Sequence, residues 1–369
     1  MARPAVAPTL GGMTRPCLVL LLLAALAAGQ EQFSDIPLGN PFNSSGAPAV
    51  SEVELAGKVF ATIDGGDFVH PTFSPDGKTL AYSRVLLQRD FETTEVWLYN
   101  LGTGRTSVLL NSTEAEKYAT YKAFVTGMEW RMPRRLEVLV SDGDVDSTRL
   151  SFDPRTWRLL RLRHEGGGET ESPPMSPALR RVRQRAVALF PAFPRRLLDN
   201  ALANSPLVVT DKGIVLQKNY HGHDDNVWLL DFESKSTKPL VNLSDEFHQA
   251  FNGGLSFKSS ILLLLSHGRK SALVLYRDGK IKRLAEFDSN GYGSVEVKHR
   301  SPDRVIFLVK AHASYERGDN PLFVFDGERL SRVKGYRELY DAEVDPGGRR
   351  IAFCYWEGGQ RHLAIKELN

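Results

Sequence analysis

Residues 68–100 read FVHPTFSPDGKTLAYSRVLLQRDFETTEVWLYN, and this stretch sets the rhythm for the rest of the chain. Phe68 to Phe73 is a short β-prone run. Ser74-Pro75-Asp76-Gly77 is a tight turn, in which proline fixes φ and glycine supplies the positive φ that other residues resist. Thr79 to Ser83 is a second strand, Arg84 to Thr94 a polar connection, and Glu95-Val96-Trp97-Leu98-Tyr99-Asn100 alternates as a third strand. Gly102-Thr103-Gly104 turns the chain into a fourth, Thr106 to Leu110. Four strands in roughly 45 residues, punctuated by turns, is the pattern of one propeller blade.

The turn recurs. Asp345-Pro346-Gly347-Gly348-Arg349-Arg350-Ile351-Ala352-Phe353 is a second copy, and Ser301-Pro302-Asp303-Arg304-Val305-Ile306-Phe307 is a third that lacks the turn glycine. The run from His70 to Ser83, HPTFSPDGKTLAYS, resembles the blade signature of TolB-like, WD40-like β-propellers. The same signature occurs in the propellers of prolyl-oligopeptidase-type enzymes. The resemblance implies an all-β fold of four-stranded antiparallel blades. TolB proteins carry an α/β domain ahead of the propeller, which residues 31–55 are too few to hold, so a propeller without that domain is expected.

The same rhythm places blades at about 66–111, 118–164, 205–243, 247–287 and 291–336. Leu339 to Asn369 supplies only three further strands, while 56–63 forms a strand with no blade of its own. A propeller leaves no open sheet edge when its N-terminal strand completes the last blade. The expectation is therefore a six-bladed β-propeller over 56–369, closed by 56–63 as the outer strand of the C-terminal blade; seven blades is the alternative. Ile261 to Leu265, five apolar residues in a row, suits a strand buried on both faces. Residues 165–204 break the rhythm: EGGGETESPPMSP is a loop, and Leu179, Val182, Ala186, Leu189 and Phe190 then recur at helical spacing. This predicts a helical insertion between blades two and three. Arg180, Arg181, Arg183 and Arg185 crowd its other faces, either as solvated charge or as a docking element for an acidic partner or an anionic membrane surface.

The chain has 369 residues, 42% of them hydrophobic, and a formal charge of +3. It is globular in composition and too near neutral to suggest nucleic acid as a partner. Arg15, the apolar run Cys17 to Ala28 and the small residues before Gln30 read as a signal peptide over 1–29, followed by a Pro-, Gly- and Ser-rich leader over 30–55. The expected location is secreted or periplasmic. Cleavage would leave Cys354 as the sole cysteine, with no intramolecular disulfide.

In a propeller, ligands gather on the face that carries the second-to-third-strand loops and the inter-blade links. Here that face collects His70, His221, His223, Asp224, Asp225, His248, His267, Arg269, His312 and Tyr315. His221-Gly222-His223 with Asp224-Asp225 is the sharpest candidate for a metal ion, given a third ligand from across the channel, although a polar turn explains it equally. Asp142-Gly143-Asp144-Val145-Asp146 begins like a calcium loop but has Ser147 where glycine is needed. No Gly-x-Ser-x-Gly elbow and no phosphate-binding glycine loop is present. The sequence thus favours a module that binds a protein or peptide without a catalytic group or cofactor. The alternatives are a lactonase- or lyase-like propeller enzyme with a channel metal, and a carbohydrate-binding propeller.

Overall fold

The structure, a computed structural model, describes residues 50–368 apart from 55–58, 64–66, 89–90, 119–122, 132–134, 142–146, 166–176, 194, 196–197, 200–206, 211, 219–224, 244–248, 278–279, 291–292, 313–317, 335, 337 and 359. Strands β1 (Ser51–Glu54) and β2 (Val59–Ile63) come first. Sheet I is β3 (Asp67–Phe73), β4 (Thr79–Gln88), β5 (Phe91–Asn100) and β6 (Arg105–Leu110), followed by the short helix α1 (Ser112–Ala115). Sheet II is β7 (Phe124–Arg131), β8 (Arg135–Ser141), β9 (Ser147–Phe152) and β10 (Leu159–Glu165), and helix α2 (Pro177–Leu189) follows it. Sheet III is β11 (Leu207–Val209), β12 (Gly213–Lys218), β13 (Asp225–Asp231) and β14 (Ser236–Leu243). Sheet IV is β15 (Gln249–Phe257), β16 (Ser260–His267), β17 (Lys270–Arg277) and β18 (Lys280–Asp288). Sheet V is β19 (Ser294–Arg300), β20 (Val305–Lys310), β21 (Leu322–Phe325) and β22 (Leu330–Lys334). Sheet VI is β23 (Leu339–Val344), β24 (Arg350–Glu357) and β25 (Gln360–Glu367). Each sheet is an antiparallel meander; β2 pairs antiparallel with β25 as the fourth strand of sheet VI, and β1 adds to β22 in parallel.

Local turn chemistry sets these meanders. In sheet I, Gly77 donates to the carbonyl of Ser74 at 2.8 Å, and the Ser74 hydroxyl accepts from the amides of Lys78 and Thr79. In sheet VI, Gly348 donates to the carbonyl of Asp345 at 2.8 Å, and the Asp345 carboxylate accepts from Arg349 and Arg350. Gly77 and Gly348 have φ of 64° and 65°, the left-handed conformation the sequence copies require. The turns between third and fourth strands share a second device. Asn100, Asp153 and Asp231 each accept hydrogen bonds from backbone amides two or three residues on. Four residues after each, Gly104, Trp157 and Lys235 adopt φ of 67°, 55° and 52°.

The apolar residues then join the sheets. Leu262 and Leu264 belong to a core shared by sheets IV and V, whereas Ile261, Leu263 and Leu265 belong to one shared by III and IV. The run 261–265 is buried on both faces, and burying each such side chain is worth about 2 kcal/mol. Comparable cores join V to VI, VI to I, and I to II. Among the described residues no apolar cluster joins II to III. The free face of sheet III is instead covered by α2 and the segment after it, with Ala186, Phe190 and Leu198 packed on Ile214, Leu216, Leu230 and Phe232. The face of sheet II turned away from sheet I is polar, where Arg131 and Arg149 pair with Glu129 and Glu137.

Three expectations need correction, while the connection His267–Lys270 does join a second and a third strand. Arg84 to Thr94 is not a polar loop: β4 and β5 continue as a hairpin to the pair Gln88–Phe91. The consecutive apolar residues Val85-Leu86-Leu87 belong to this ladder. Ser51–Glu54, expected within the leader, is a strand paired with sheet V. His267 to Lys270 is a tight hairpin whose ends pair with each other. His70 lies within strand β3 rather than in a link.

Candidate functional site

The first strands of sheets V, VI and I bring together charged residues that alternate with apolar ones. On β23, Asp341 and Glu343 stand two apart in unbroken register, so the two-residue strand period puts both on one face, whereas on β19 Lys298 follows Glu296 at a bulge, in the register break between Val297 and His299. The intervening Ala342 and Val344 are packed in the core between sheets V and VI. Lys310, the last residue of β20, is registered opposite Ser294 at the start of β19. Lys298 Nζ lies 3.0 Å from Glu296, 3.5 Å from Glu343 and 3.7 Å from Asp341. Lys310 Nζ lies 3.6 Å from Glu296 and 3.7 Å from Asp341. Asp341 also accepts from the backbone amide of Ala342 at 2.9 Å.

Burial and mutual charge set the protonation of this cluster. Burial works against the Lys298 ammonium, but Asp341, Glu343 and Glu296 outweigh it and raise its pKa. Burial raises the Glu343 carboxyl to about 7, against the opposing pull of Lys298. His70 sits at a break in the β3–β4 register with φ of 54°. Burial lowers its pKa, and Lys310 and Lys298 add to that lowering while Asp341 and Glu296 oppose it. Two ammonium groups against three carboxylates leave one negative charge when Glu343 is ionised and none when it is protonated. The cluster is not sealed: the side chains of Glu296 and Glu343 are 38% and 31% exposed, whereas Lys298 and Asp341 are at 12% and 11%. Cys354, paired with Asp341 across β23 and β24, is fully buried, and burial pushes its thiol well above the ordinary value.

The residues singled out in the sequence are distributed otherwise. Of them, His70 is the one this cluster incorporates. His312 is half-buried, and its backbone amide donates to the side chain of the fully buried Asn320 at 2.8 Å. Arg269 is exposed in the hairpin between β16 and β17. Asp225 begins β13 and His267 ends β16, with their side chains outside the described set. His221, His223, Asp224, His248 and Tyr315 lie outside the described residues, as does the acidic run 142–146. Arg183 forms a two-point pair with Asp199 at 2.6 and 2.9 Å, and Arg185 lies 4.8 Å over the Phe232 ring, while Arg180 and Arg181 are exposed. Among the described residues no three His, Cys, Asp or Glu side chains group as metal ligands do, and no helix is long and apolar enough to cross a membrane.

No family model matches the chain, and no curated protein does. Solved structures align with it at low similarity. The β-propeller domain of the Trilobed protease from Pyrococcus furiosus is 12% identical, covers 82% of this chain and 83% of its own, and has a TM-score of 0.29. The WD40 repeats of RRP9 are 11% identical over 88% and 99% of the two chains, with a TM-score of 0.36. A gluconolactonase from Xanthomonas campestris is 13% identical over 90% and 99%, with a TM-score of 0.37. At such scores these likenesses carry no argument, and the reading rests on the chain's own sheets and side chains.

Proposed function

We propose that the six sheets are the blades of one TolB-like β-propeller, closed through β2 and with α2 filling the place between blades II and III. In this reading the chain is exported to the periplasm or beyond through residues 1–29. It acts as a binding module for a protein or peptide, and it needs no cofactor. The observation that carries the binding role is the half-open charged cluster on the first strands of sheets V, VI and I. Its one uncompensated negative charge, borne by a site still reachable at Glu296 and Glu343, suits a basic side chain of the partner. The loop-rich face with His221, His223, His267, Arg269 and His312 would form the wider contact, and Arg180 and Arg181 a peripheral one.

The test is a peptide-array screen with wild type and Glu343→Gln. Basic peptides that bind saturably, bind more tightly above pH 7 than below it, and lose that pH dependence in Glu343→Gln support the proposal. Binding indifferent to both would contradict it. A second reading, a propeller enzyme, is favoured by one observation: the cluster around Asp341, Glu296 and Lys298 holds both a carboxyl near 7 and a histidine whose pKa burial lowers, two groups suited to proton transfer. Turnover of a lactone or glycoside abolished by Glu343→Gln would move the assignment there.

A further inference from the structure

Strand β10 ends sheet II, and no described strand pairs with its outer side. It carries Leu159, Leu160 and Leu162 at 38%, 52% and 38% exposure, half of the exposed large hydrophobic residues among those described. Arg161 and Arg163, both exposed, alternate with them. An open edge presents unpaired backbone N–H and C=O groups, and one that is also apolar invites another strand.

The register sorts these side chains. Leu162 lies opposite Leu150, which is buried between sheets I and II, so Leu162 belongs to the face towards sheet I. Leu160, at the break in register, lines a groove of about 360 Å³ with Pro75, Trp130 and Pro154. Arg161 and Arg163 lie opposite Ser151 and Arg149, on the polar face. The molecule already contains a strand added in this way. On the outer edge of sheet V, β1 runs beside β22 with its acidic sequence Ser-Glu-Val-Glu; Glu52 pairs with Lys334 at 3.2 Å, and the hydroxyls of Ser51 and Ser331 meet at 2.8 Å.

We propose that the outer edge of β10 is a docking site that takes an extended acidic segment of a partner protein as a fifth strand of sheet II. Alternate apolar side chains of that segment pack on Leu162 and into the groove at Leu160, and its carboxylates face Arg161 and Arg163. Main-chain hydrogen bonds supply affinity, and the alternation supplies specificity. This edge is separate from the charged cluster and selects the opposite charge.

The test uses the full chain with a labelled peptide of alternating glutamate and valine, a lysine–valine peptide as control, and phosphatidylglycerol vesicles. Saturable binding of the glutamate peptide, weakened roughly tenfold in Arg161→Glu/Arg163→Glu, with exchange at those amides of 159–164 that point away from β9 fast in the free protein and slowed on binding, supports the proposal. Arg163→Ala provides a milder variant should the double one fail to fold, with weaker binding again expected. The proposal is overturned by absent or charge-indifferent peptide binding, by exchange already slow in the free protein (the edge then covered by the chain itself), or by vesicle binding in place of peptide binding.

Discussion

Sheet I meets sheet VI through Leu80, Tyr82, Tyr340, Cys354 and Leu363, all nearly or fully buried, whereas sheet II carries Glu129, Arg131, Glu137 and Arg149 on its face away from sheet I. The turns on both sides are built alike, with Asn100, Asp153 and Asp231 in equivalent roles. Turn chemistry therefore forms each meander, and it does not decide how meanders join. Joining depends on apolar area. A seam of fully buried Leu, Ile and Phe side chains supplies about 25 cal/mol per Å², while partly exposed ion pairs supply about 0–1 kcal/mol each. The charged cluster lies where the seams are apolar and firm, on sheets V, VI and I. The edge of β10, unpaired among the described strands, lies where they are not.

The comparison can be broken at either end. Phe307 is fully buried between sheets IV and V, its ring 5.5 Å from that of Phe323, so Phe307→Ala should cost about 3–5 kcal/mol in urea unfolding. A cost below about 1 kcal/mol would remove that seam as a source of stability. Phe190→Ala should cost about 3 kcal/mol and selectively loosen sheet III, because Phe190 covers Phe232 and its neighbours. Equal loosening of sheets V and VI would show that α2 supports the whole molecule. Glu343 sharpens the electrostatic side. Its folded pKa of about 7 stands above its ordinary 4.5, so the folded state binds that proton more tightly. That contribution is complete below pH 4.5 and is lost as pH rises through 7. Glu343→Gln should accordingly melt a few degrees above wild type near pH 8, the gap closing toward pH 5. His70, whose pKa is lowered, works in the opposite sense below its ordinary 6.5, so the variant is compared with wild type at each pH. Gly104→Ala should cost about 1 kcal/mol, while Lys235→Ala, at the same turn position but already carrying a side chain at positive φ, should cost almost nothing. Arg149→Ala, which removes partly exposed ion pairs to Glu129 and Glu137, should cost less than about 1 kcal/mol.

Much of the fold was legible because its signals are local. Ser74-Pro75-Asp76-Gly77 and Asp345-Pro346-Gly347-Gly348 state their turns outright, and the unbroken apolar run 261–265 states burial on two faces. The helical spacing from Leu179 to Phe190 likewise matches the face that packs on sheet III. The long hairpin of β4 and β5 was hidden because Arg84, Gln88, Arg89 and Asp90 resemble a polar loop in sequence, whereas the backbone ladder runs on to the pair Gln88–Phe91. The charged cluster was not legible. Glu296-Val297-Lys298 and Asp341-Ala342-Glu343 each read alone as the wet face of a half-buried strand. Only the proximity of sheets V and VI turns them toward each other. The available signal was charge at alternate positions on the first strand of two successive four-strand units.

Native-state hydrogen exchange of the full chain reads the contrast between apolar and polar seams directly. Amides of β16, β20 and β24 should exchange only through global unfolding, while those of β7–β10 and α2 should exchange through a smaller opening with a shallower denaturant dependence. Equal protection and equal denaturant dependence in both regions would contradict it.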